Sequence, residues 1–239
     1  MSSPPSDVLD LAGTVRGDAP PPWLLSRLER ALPSLAAYPD QARAVRAVAA
    51  RHDREPDEVL LTNGAAEAFV LLARVLTPEH ALCVHPSFTE PELALRQAGH
   101  AVHQLVLDPP YELAEVPNEA DLVVLGNPTN PTGVRHRDVA RLCRPGRITV
   151  VDETFADCVP GEPELLAGRG DLPGLVVVRS LSKTWALAGL RVGYLLAAPE
   201  LVERLRQAQP ASPVSTLALT ALDTCSARGP VAAAAKIAV

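Results

Sequence analysis

Lysine, aromatic residues and long apolar runs are scarce in this chain of 239 residues. Aromatic side chains make up 3% of the residues, and Lys183 and Lys236 are the only lysines. No apolar run approaches the ~20 residues that a helix needs to cross a bilayer, so we expect no membrane association. The net charge is -6 and no block of Lys and Arg occurs, so nucleic acid is not an expected partner.

Cysteine is also sparse, and its spacing excludes two classes of protein. The four cysteines lie far apart, at Cys83, Cys143, Cys158 and Cys225. This spacing is typical of neither a secreted disulfide framework nor a zinc ribbon, and the first residues lack the features of a secretory leader. We therefore expect a cytoplasmic protein. His80, Cys83 and His85 lie on a short predicted strand that points alternate side chains apart, so we expect no metal site.

The chain begins with a stretch that has no clear periodicity. Residues 1–22 are rich in Pro, Ser and Gly and predict a partly ordered arm. Apolar residues then recur at helical spacing. The predicted helices cover residues 23–32, 42–50, 65–76, 90–97, 199–207 and 214–224. The predicted strands cover residues 59–61, 81–84, 102–107, 122–125, 148–151, 175–178 and 192–196.

The alternation of short apolar runs with helices predicts an α/β fold. We expect a mostly parallel sheet with helices on both faces. Residues 23–225 form the predicted large domain, and residues 226–239 an Ala-rich tail. In such sheets functional groups gather where strands end, so the polar clusters at those points are the candidates for a site.

The most informative cluster follows the predicted strand at 175–178. It reads Arg-Ser-Leu-Ser-Lys-Thr-Trp, from Arg179 to Trp185, and Arg191 lies eight residues beyond the lysine. A lysine between hydroxyl groups at a strand end can present an amine beside groups that bind a phosphate. Taken alone, the same pattern also fits a surface lysine in a loop.

Two further clusters end predicted strands. Asn130 lies in Gly-Asn-Pro-Thr-Asn-Pro-Thr-Gly, where two X-Pro steps restrict the backbone and can aim the amide at a ligand. Asp152 ends an apolar strand, where an ionised carboxylate needs a cationic or hydrogen-bonding partner. The alternative at Asn130 is a tight loop without a ligand. The alternative at Asp152 is a helix cap or a buried salt bridge.

Taken together and in this order, these clusters resemble the fold-type I pyridoxal 5'-phosphate (PLP) enzymes, specifically the class I/II aminotransferases. The resemblance runs from Tyr38 to Thr224. It implies the PLP-binding large domain of that fold. Lys183 is implied to bind PLP covalently and to act as general base, while Asp152 pairs with the pyridine nitrogen. Asn130 is implied to donate to the phenolic oxygen of the ring.

The resemblance extends to the cofactor phosphate and to the dimer. Phe88 matches an aromatic residue that stacks on the PLP ring, and Tyr38 matches a tyrosine that reaches the phosphate of a neighbouring subunit, which implies a homodimer. A helix beginning after a strand also suits an anion. The implied phosphate-binding residues are Gly64, Ala65, Ala66, Ser180, Ser182 and Arg191.

Three departures bear on the reaction. Phe155 replaces a tyrosine that bonds the phenolic oxygen in many relatives, residues 11–16 lack the usual substrate-pocket asparagine, and a C-terminal small domain is not evident before Val239. Within that family the sequence resembles both the histidinol-phosphate aminotransferases and the related threonine-phosphate decarboxylases. The commoner reaction, which we expect, is amino transfer between an amino acid or amino-phosphate and a 2-oxo acid. A threonine-phosphate decarboxylase of cobalamin biosynthesis, or a non-catalytic PLP-binding remnant, stays open.

Overall fold

The computed structural model describes residues 19–159 and 165–228. The α-helices in this part of the chain are α1 (Pro22–Ala31), α2 (Ala42–Arg51), α3 (Ala65–Val75), α4 (Glu90–Gln97), α5 (Pro199–Ala208) and α6 (Thr216–Arg228). The strands are β1 (Val59–Thr62), β2 (Ala81–His85), β3 (Val102–Val106), β4 (Leu122–Gly126), β5 (Ile148–Asp152), β6 (Leu175–Ser180) and β7 (Gly193–Leu196). Short 3-10 turns cover Leu32–Ala36, Pro56–Glu58, Val139–Leu142, Ala156–Cys158 and Ala188–Leu190.

These seven strands form one sheet in the order β1-β7-β6-β5-β4-β2-β3. The pairs from β3 to β6 are parallel, whereas β7 runs antiparallel to both β6 and β1. The central strands β4, β5 and β6 are mostly apolar and almost fully buried, because helices cover both faces of the sheet.

The core consists of two apolar layers, one on each face of the sheet. Val177 of β6 belongs to the layer with residues of α1, α2 and α6. Val176 and Val178 belong to the other layer, with residues of α3, α4 and α5. Successive side chains of a strand point to opposite faces, so a continuous apolar run supplies both layers.

The parallel strands bring their carboxyl ends to one edge of the sheet. Gly126, the last residue of β4, is in register with Asp152, the last residue of β5. Ser180 at the end of β6 is in register with Gly193, which is also in register with Thr62 of β1. The loops that follow these strands therefore share one edge, where ligands bind in open α/β sheets.

The predicted α/β class, the mostly parallel sheet and the helices on both faces are confirmed. Helix α1 begins at Pro22, within the predicted arm, and α6 continues past residue 225 to Arg228. Residues 1–18 of the arm, including residues 11–16, and residues 229–239 of the tail lie outside the described residues. A search of the described helices finds none with the length and apolar character of a membrane span.

Candidate active site

Lys183 lies in a turn that begins where β6 ends. The turn is tied back on itself, because the amide of Trp185 donates to the carbonyl of Leu181 at 3.3 Å and Leu187 donates to Ser182 at 3.2 Å. The indole of Trp185 is 1% exposed and meets the ring of Trp23 edge-on, with 5.5 Å between centroids. Buried aromatic packing thus anchors the segment that carries the lysine.

The surroundings of Lys183 favour its neutral form. The amine Nζ lies 5.8 Å from the centroid of the Phe155 ring. Burial and the positive charge of Arg191 lower the pKa of Lys183, and the charge of Asp152 opposes them. A lysine whose pKa is lowered supplies more unprotonated amine at neutral pH, which is the form that reacts with a carbonyl carbon.

Asp152 faces a pocket at the carboxyl edge of the sheet. The aromatic rings of Phe88 and Phe155 and the side chain of Asn130 line the same pocket. Burial raises the pKa of Asp152, although hydrogen bonds from Thr154 and the charge of Lys183 act in the opposite direction. A buried carboxylate in such a pocket favours a cationic group of a ligand, because the ligand charge would offset the cost of burial.

The loop that carries Asn130 is braced by its own polar residues. The side-chain oxygen Oδ1 of Asn127 accepts a hydrogen bond from the backbone amide of His136 at 2.9 Å. The backbone amide of Asn127 donates to the carbonyl of Asp152 at 2.8 Å. The hydroxyl of Thr129 donates to the carbonyl of Gly126 at 2.7 Å. These bonds fix the loop, which places the half-buried Asn130 at the pocket wall.

A second cluster lies where α3 begins. Gly64 has φ +80°, and a Cβ placed there would come 2.7 Å from Nη2 of Arg191. The first backbone amides of α3, which starts at Ala65, have no intrahelical acceptor. Ser182 Oγ is buried and has no hydrogen-bond partner in the described structure. A guanidinium, helix amides and an unpaired hydroxyl together suit an anion such as a phosphate group.

Two of the implied phosphate-binding residues differ from the others in their setting. Ser180 Oγ donates to the carbonyl of Val192 at 3.1 Å and accepts from the amide of Ser182, so its proton already has a protein acceptor. Ser180 therefore braces the turn before Lys183 in this structure. Tyr38 is 93% exposed, between α1 and α2, and does not line the pocket that holds Asp152.

A buried charge network that was not predicted from the sequence lies beside the site. Arg179 donates to Glu153 Oε2 at 3.0 Å and to Asp157 Oδ1 at 3.1 Å, and Arg51 pairs with the same Asp157 oxygen at 2.7 Å. Glu153 and Arg179 each adjoin a residue that we had identified, Asp152 and Ser180. The signal in the sequence was a pair of opposite charges, Glu153 and Arg179, beside the ends of two apolar runs.

Thr154 was also missed, and it contacts Asp152 directly. The sequence signal was a hydroxyl residue two positions after an aspartate at a strand end, a spacing that favours local hydrogen bonds.

His85 was considered with His80 and Cys83 as a possible metal ligand. In the structure its ring contacts a carboxylate, since His85 Nε2 lies 2.7 Å from Glu92 Oε2. Within the described ranges no group of three metal-ligating side chains is found.

Comparison with known proteins places this geometry in a family. Residues 7–228 match the model of the family described as aminotransferase class I and II. A histidinol-phosphate aminotransferase of Mycobacterium tuberculosis is 54% identical over 97% of this chain and 65% of its own length. The threonine-phosphate decarboxylase of Salmonella typhimurium is 30% identical over 91% of this chain and 64% of its own length.

Solved structures agree on the fold. The histidinol-phosphate aminotransferase of Clostridium acetobutylicum superposes with a TM-score of 0.83 at 22% identity, covering 95% of this chain and 73% of that one. The L-threonine-O-3-phosphate decarboxylase of Porphyromonas gingivalis gives 0.79 at 27% identity, covering 90% and 71%. The chain spans about 65% of the length of the first curated relatives that it matches. Because the family model matches residues 7–228, which include the sheet that carries the site, this chain belongs to the class I and II aminotransferase family.

Proposed function

We propose that this chain binds PLP, the cofactor of its family, and serves a PLP-dependent aminotransferase. The reaction moves an amino group between an amino acid or amino-phosphate and a 2-oxo acid. One observation carries the proposal. The buried Asp152 ends β5, Lys183 follows the neighbouring β6, and the two charges influence each other at the carboxyl edge of the sheet, where the pKa of Lys183 is lowered. PLP supplies an electron sink for the bonds at the substrate Cα.

The chain's own residues have distinct parts in this proposal. Asp152 pairs with the pyridine nitrogen, and the cationic nitrogen in turn favours the ionised carboxylate that burial disfavours. Lys183 holds the cofactor covalently through its neutral amine. As a free primary amine beside bound substrate, Lys183 would move the proton at the substrate Cα as a general base.

The remaining assignments concern the phosphate and the ring of the cofactor. Arg191, Ser182 and the amides of Gly64, Ala65 and Ala66 are assigned to the phosphate, which the closeness of Gly64 to the Arg191 guanidinium and the unpaired Ser182 hydroxyl support. Ser180 is assigned a supporting part, because its hydroxyl oxygen accepts a hydrogen bond from the backbone amide of Ser182. Phe88 is assigned to stacking on the ring. Because Phe155 has no hydroxyl, the bond to the phenolic oxygen is assigned to Asn130.

Decarboxylation of a phosphorylated amino acid is the second candidate. It is favoured by the 30% identity to the threonine-phosphate decarboxylase of Salmonella typhimurium, and would give the chain a part in cobalamin biosynthesis. PLP would stabilise the loss of either the proton or the carboxylate from the substrate Cα, so the placement of the substrate carboxylate would decide between the two reactions. We prefer amino transfer because the relatives at 54% identity are named as aminotransferases.

Substrate tests separate these reactions. L-histidinol phosphate with 2-oxoglutarate, and separately L-threonine phosphate, are supplied to the purified protein while glutamate and CO₂ are measured. Glutamate formation supports amino transfer. Release of CO₂ without glutamate supports the decarboxylase and contradicts the preferred assignment.

We further propose a cytoplasmic homodimer. The exposure of Tyr38 supports this, because a side chain that lies outside its own pocket can serve a neighbouring subunit. Sedimentation over a range of concentrations tests the dimer, and Tyr38→Phe tests the contact. A strict monomer with full affinity for PLP contradicts both.

Absorption spectroscopy tests the cofactor assignment. Purified protein incubated with PLP is expected to show a near-visible band that Lys183→Ala abolishes. Lys236→Ala, which removes the chain's other lysine, is the matched control and is expected to retain the band. Equal spectra for the two variants would contradict the role of Lys183.

A further inference from the structure

Thr154 makes two hydrogen bonds to one oxygen of Asp152. Its backbone amide donates to Asp152 Oδ1 at 3.0 Å, and its hydroxyl donates to the same oxygen in a very short contact. Both residues are buried, with exposed fractions of 8% for Thr154 and 9% for Asp152. Two donors at one oxygen fix the rotation of the carboxylate.

The second carboxylate oxygen is left to the pocket. No residue in the described ranges donates a hydrogen bond to Asp152 Oδ2, although Asp152 lines the pocket together with Phe88 and Asn130. A carboxylate has two oxygens that each accept hydrogen bonds. The Thr154 contacts therefore assign one oxygen to the protein and the other to whatever occupies the pocket.

The same contacts act on the charge of Asp152. Burial raises the pKa of this carboxyl, while the Thr154 hydroxyl, the Thr154 amide and the charge of Lys183 each lower it. Glu92 and Cys83 line the same pocket, and burial raises the pKa of Cys83 to about 12, so that thiol carries no charge near neutral pH. Lys183 and Thr154 are the groups that lower the pKa of Asp152 and so oppose the effect of burial.

We propose that Thr154 is a positioning residue that holds Asp152 ionised and aims its Oδ2 at the ring nitrogen of the cofactor. The cofactor part of this inference rests on the proposed function. The hydroxyl adds a second hydrogen bond to the oxygen that the backbone amide already contacts, and a hydrogen bond to an ionised acceptor is worth more than one to a neutral acceptor. Thr154 touches neither substrate nor cofactor in this account and acts through Asp152.

Three variants at one position isolate the hydroxyl. Thr154→Val keeps the shape and the backbone amide but removes the hydroxyl, Thr154→Ser keeps the hydroxyl, and Thr154→Ala removes both hydroxyl and bulk. Thr149→Val is the matched control. Thr149 lies on β5, the strand that ends in Asp152, and is fully buried. Its hydroxyl donates to the carbonyl of Leu142 at 3.3 Å and also contacts the Cys143 thiol, whose pKa burial raises, so neither partner changes its charge between pH 5 and pH 8.

The first readout is the dissociation constant for PLP at neutral pH. Loss of a hydrogen bond to a charged group predicts about tenfold weaker binding, or more, for Thr154→Val and Thr154→Ala. Thr154→Ser is expected to restore binding to within a few-fold of the original, and Thr149→Val to leave it unchanged. Equal affinities for Thr154→Val and the original protein would overturn the proposal.

The second readout needs no cofactor. Urea unfolding of the cofactor-free protein is measured at pH 5 and pH 8. The Thr154 hydroxyl bonds a more fully ionised carboxylate at the higher pH, so the stability lost in Thr154→Val is expected to be larger at pH 8 than at pH 5. Thr149→Val is expected to lose the same amount at both. If the stability lost in Thr154→Val were the same at pH 5 and pH 8, the proposal that Thr154 stabilises the ionised form of Asp152 would be wrong.

The two readouts separate the failure of this inference from failure of the proposed function. If the original protein does not bind PLP, the proposed function is wrong, and the pH dependence of unfolding still decides whether Thr154 controls the charge of Asp152. If PLP binds and the variants bind equally well, the proposed function stands and the inference about Thr154 is wrong.

Discussion

Arg179 and Glu153 form an ion pair between the ends of β6 and β5, with Nε 3.0 Å from Oε2 and exposed side-chain fractions of 3% and 0%. Each adjoins a residue of the site, since Arg179 precedes Ser180 and Glu153 follows Asp152. The pair therefore links the strand that leads to Lys183 with the strand that ends in the carboxylate.

Breaking this pair is expected to destabilise the protein strongly. Arg179→Met leaves Glu153 buried without its guanidinium, which predicts a loss of about 3 to 5 kcal/mol in the free energy of unfolding. Arg169→Met is the control, because its ion pair with Asp171 lies at the surface and is screened by solvent. Urea unfolding checks both variants, and similar small losses in the two would show that the buried pair is unimportant.

Asp152→Asn is expected to stabilise the cofactor-free protein while weakening PLP binding. Burial raises the pKa of Asp152, so the folded protein holds this proton more tightly than the unfolded chain. Stability then falls as pH rises from the ordinary value of 3.8 towards the raised value, and at pH 7 the ionised carboxylate is a cost. The asparagine removes that cost.

Thermal unfolding at pH 4 and pH 7 checks this sign. The midpoint of Asp152→Asn is expected to exceed that of the original protein at pH 7, and the difference is expected to shrink at pH 4. Asp108→Asn, at an exposed position, removes the same charge and is expected to change little. A lower midpoint for Asp152→Asn at pH 7 would contradict the effect of burial.

Gly64→Ala is expected to weaken PLP binding by displacing Arg191. Its Cβ would lie 2.7 Å from Arg191 Nη2, and its φ of +80° adds backbone strain of about 1 to 3 kcal/mol. Gly99→Ala is the matched control, because Gly99 has φ +93° with nothing within 4 Å of the added Cβ. Both variants lose stability, and only Gly64→Ala is expected to lose affinity. Equal affinities would remove Gly64 and Arg191 from the phosphate site.

Phe155→Tyr is expected to compensate for the loss of Asn130. Phe155 and Asn130 line the same pocket, and only Asn130 carries a hydrogen-bond donor. Asn130→Ala is expected to weaken PLP binding about tenfold, and the added phenol should restore part of this in the double variant. A double-mutant cycle on the dissociation constant measures the coupling. Strictly additive effects would show that the two side chains do not serve the same oxygen.

Much of the fold could be predicted from the sequence, because the strands are short continuous apolar runs with polar residues at their ends. Ile148–Asp152 illustrates this: its apolar run predicts a buried strand, and its final carboxylate marks the functional edge. The contact between Arg179 and Glu153 could not be predicted, since it requires that β5 and β6 be neighbours in space. The setting of Ser180 was missed for a similar reason, because its acceptor Val192 is brought close by the antiparallel β7.

Location of the covalent bond between cofactor and protein tests the central claim most directly. The protein is incubated with PLP, reduced with borohydride, digested, and analysed by mass spectrometry for the peptide that carries the cofactor. We expect the modification to lie on Lys183 and Lys236 to be unmodified. Stable modification of another amine, or no specific modification at all, would contradict the assignment of Lys183 as the residue that binds the cofactor.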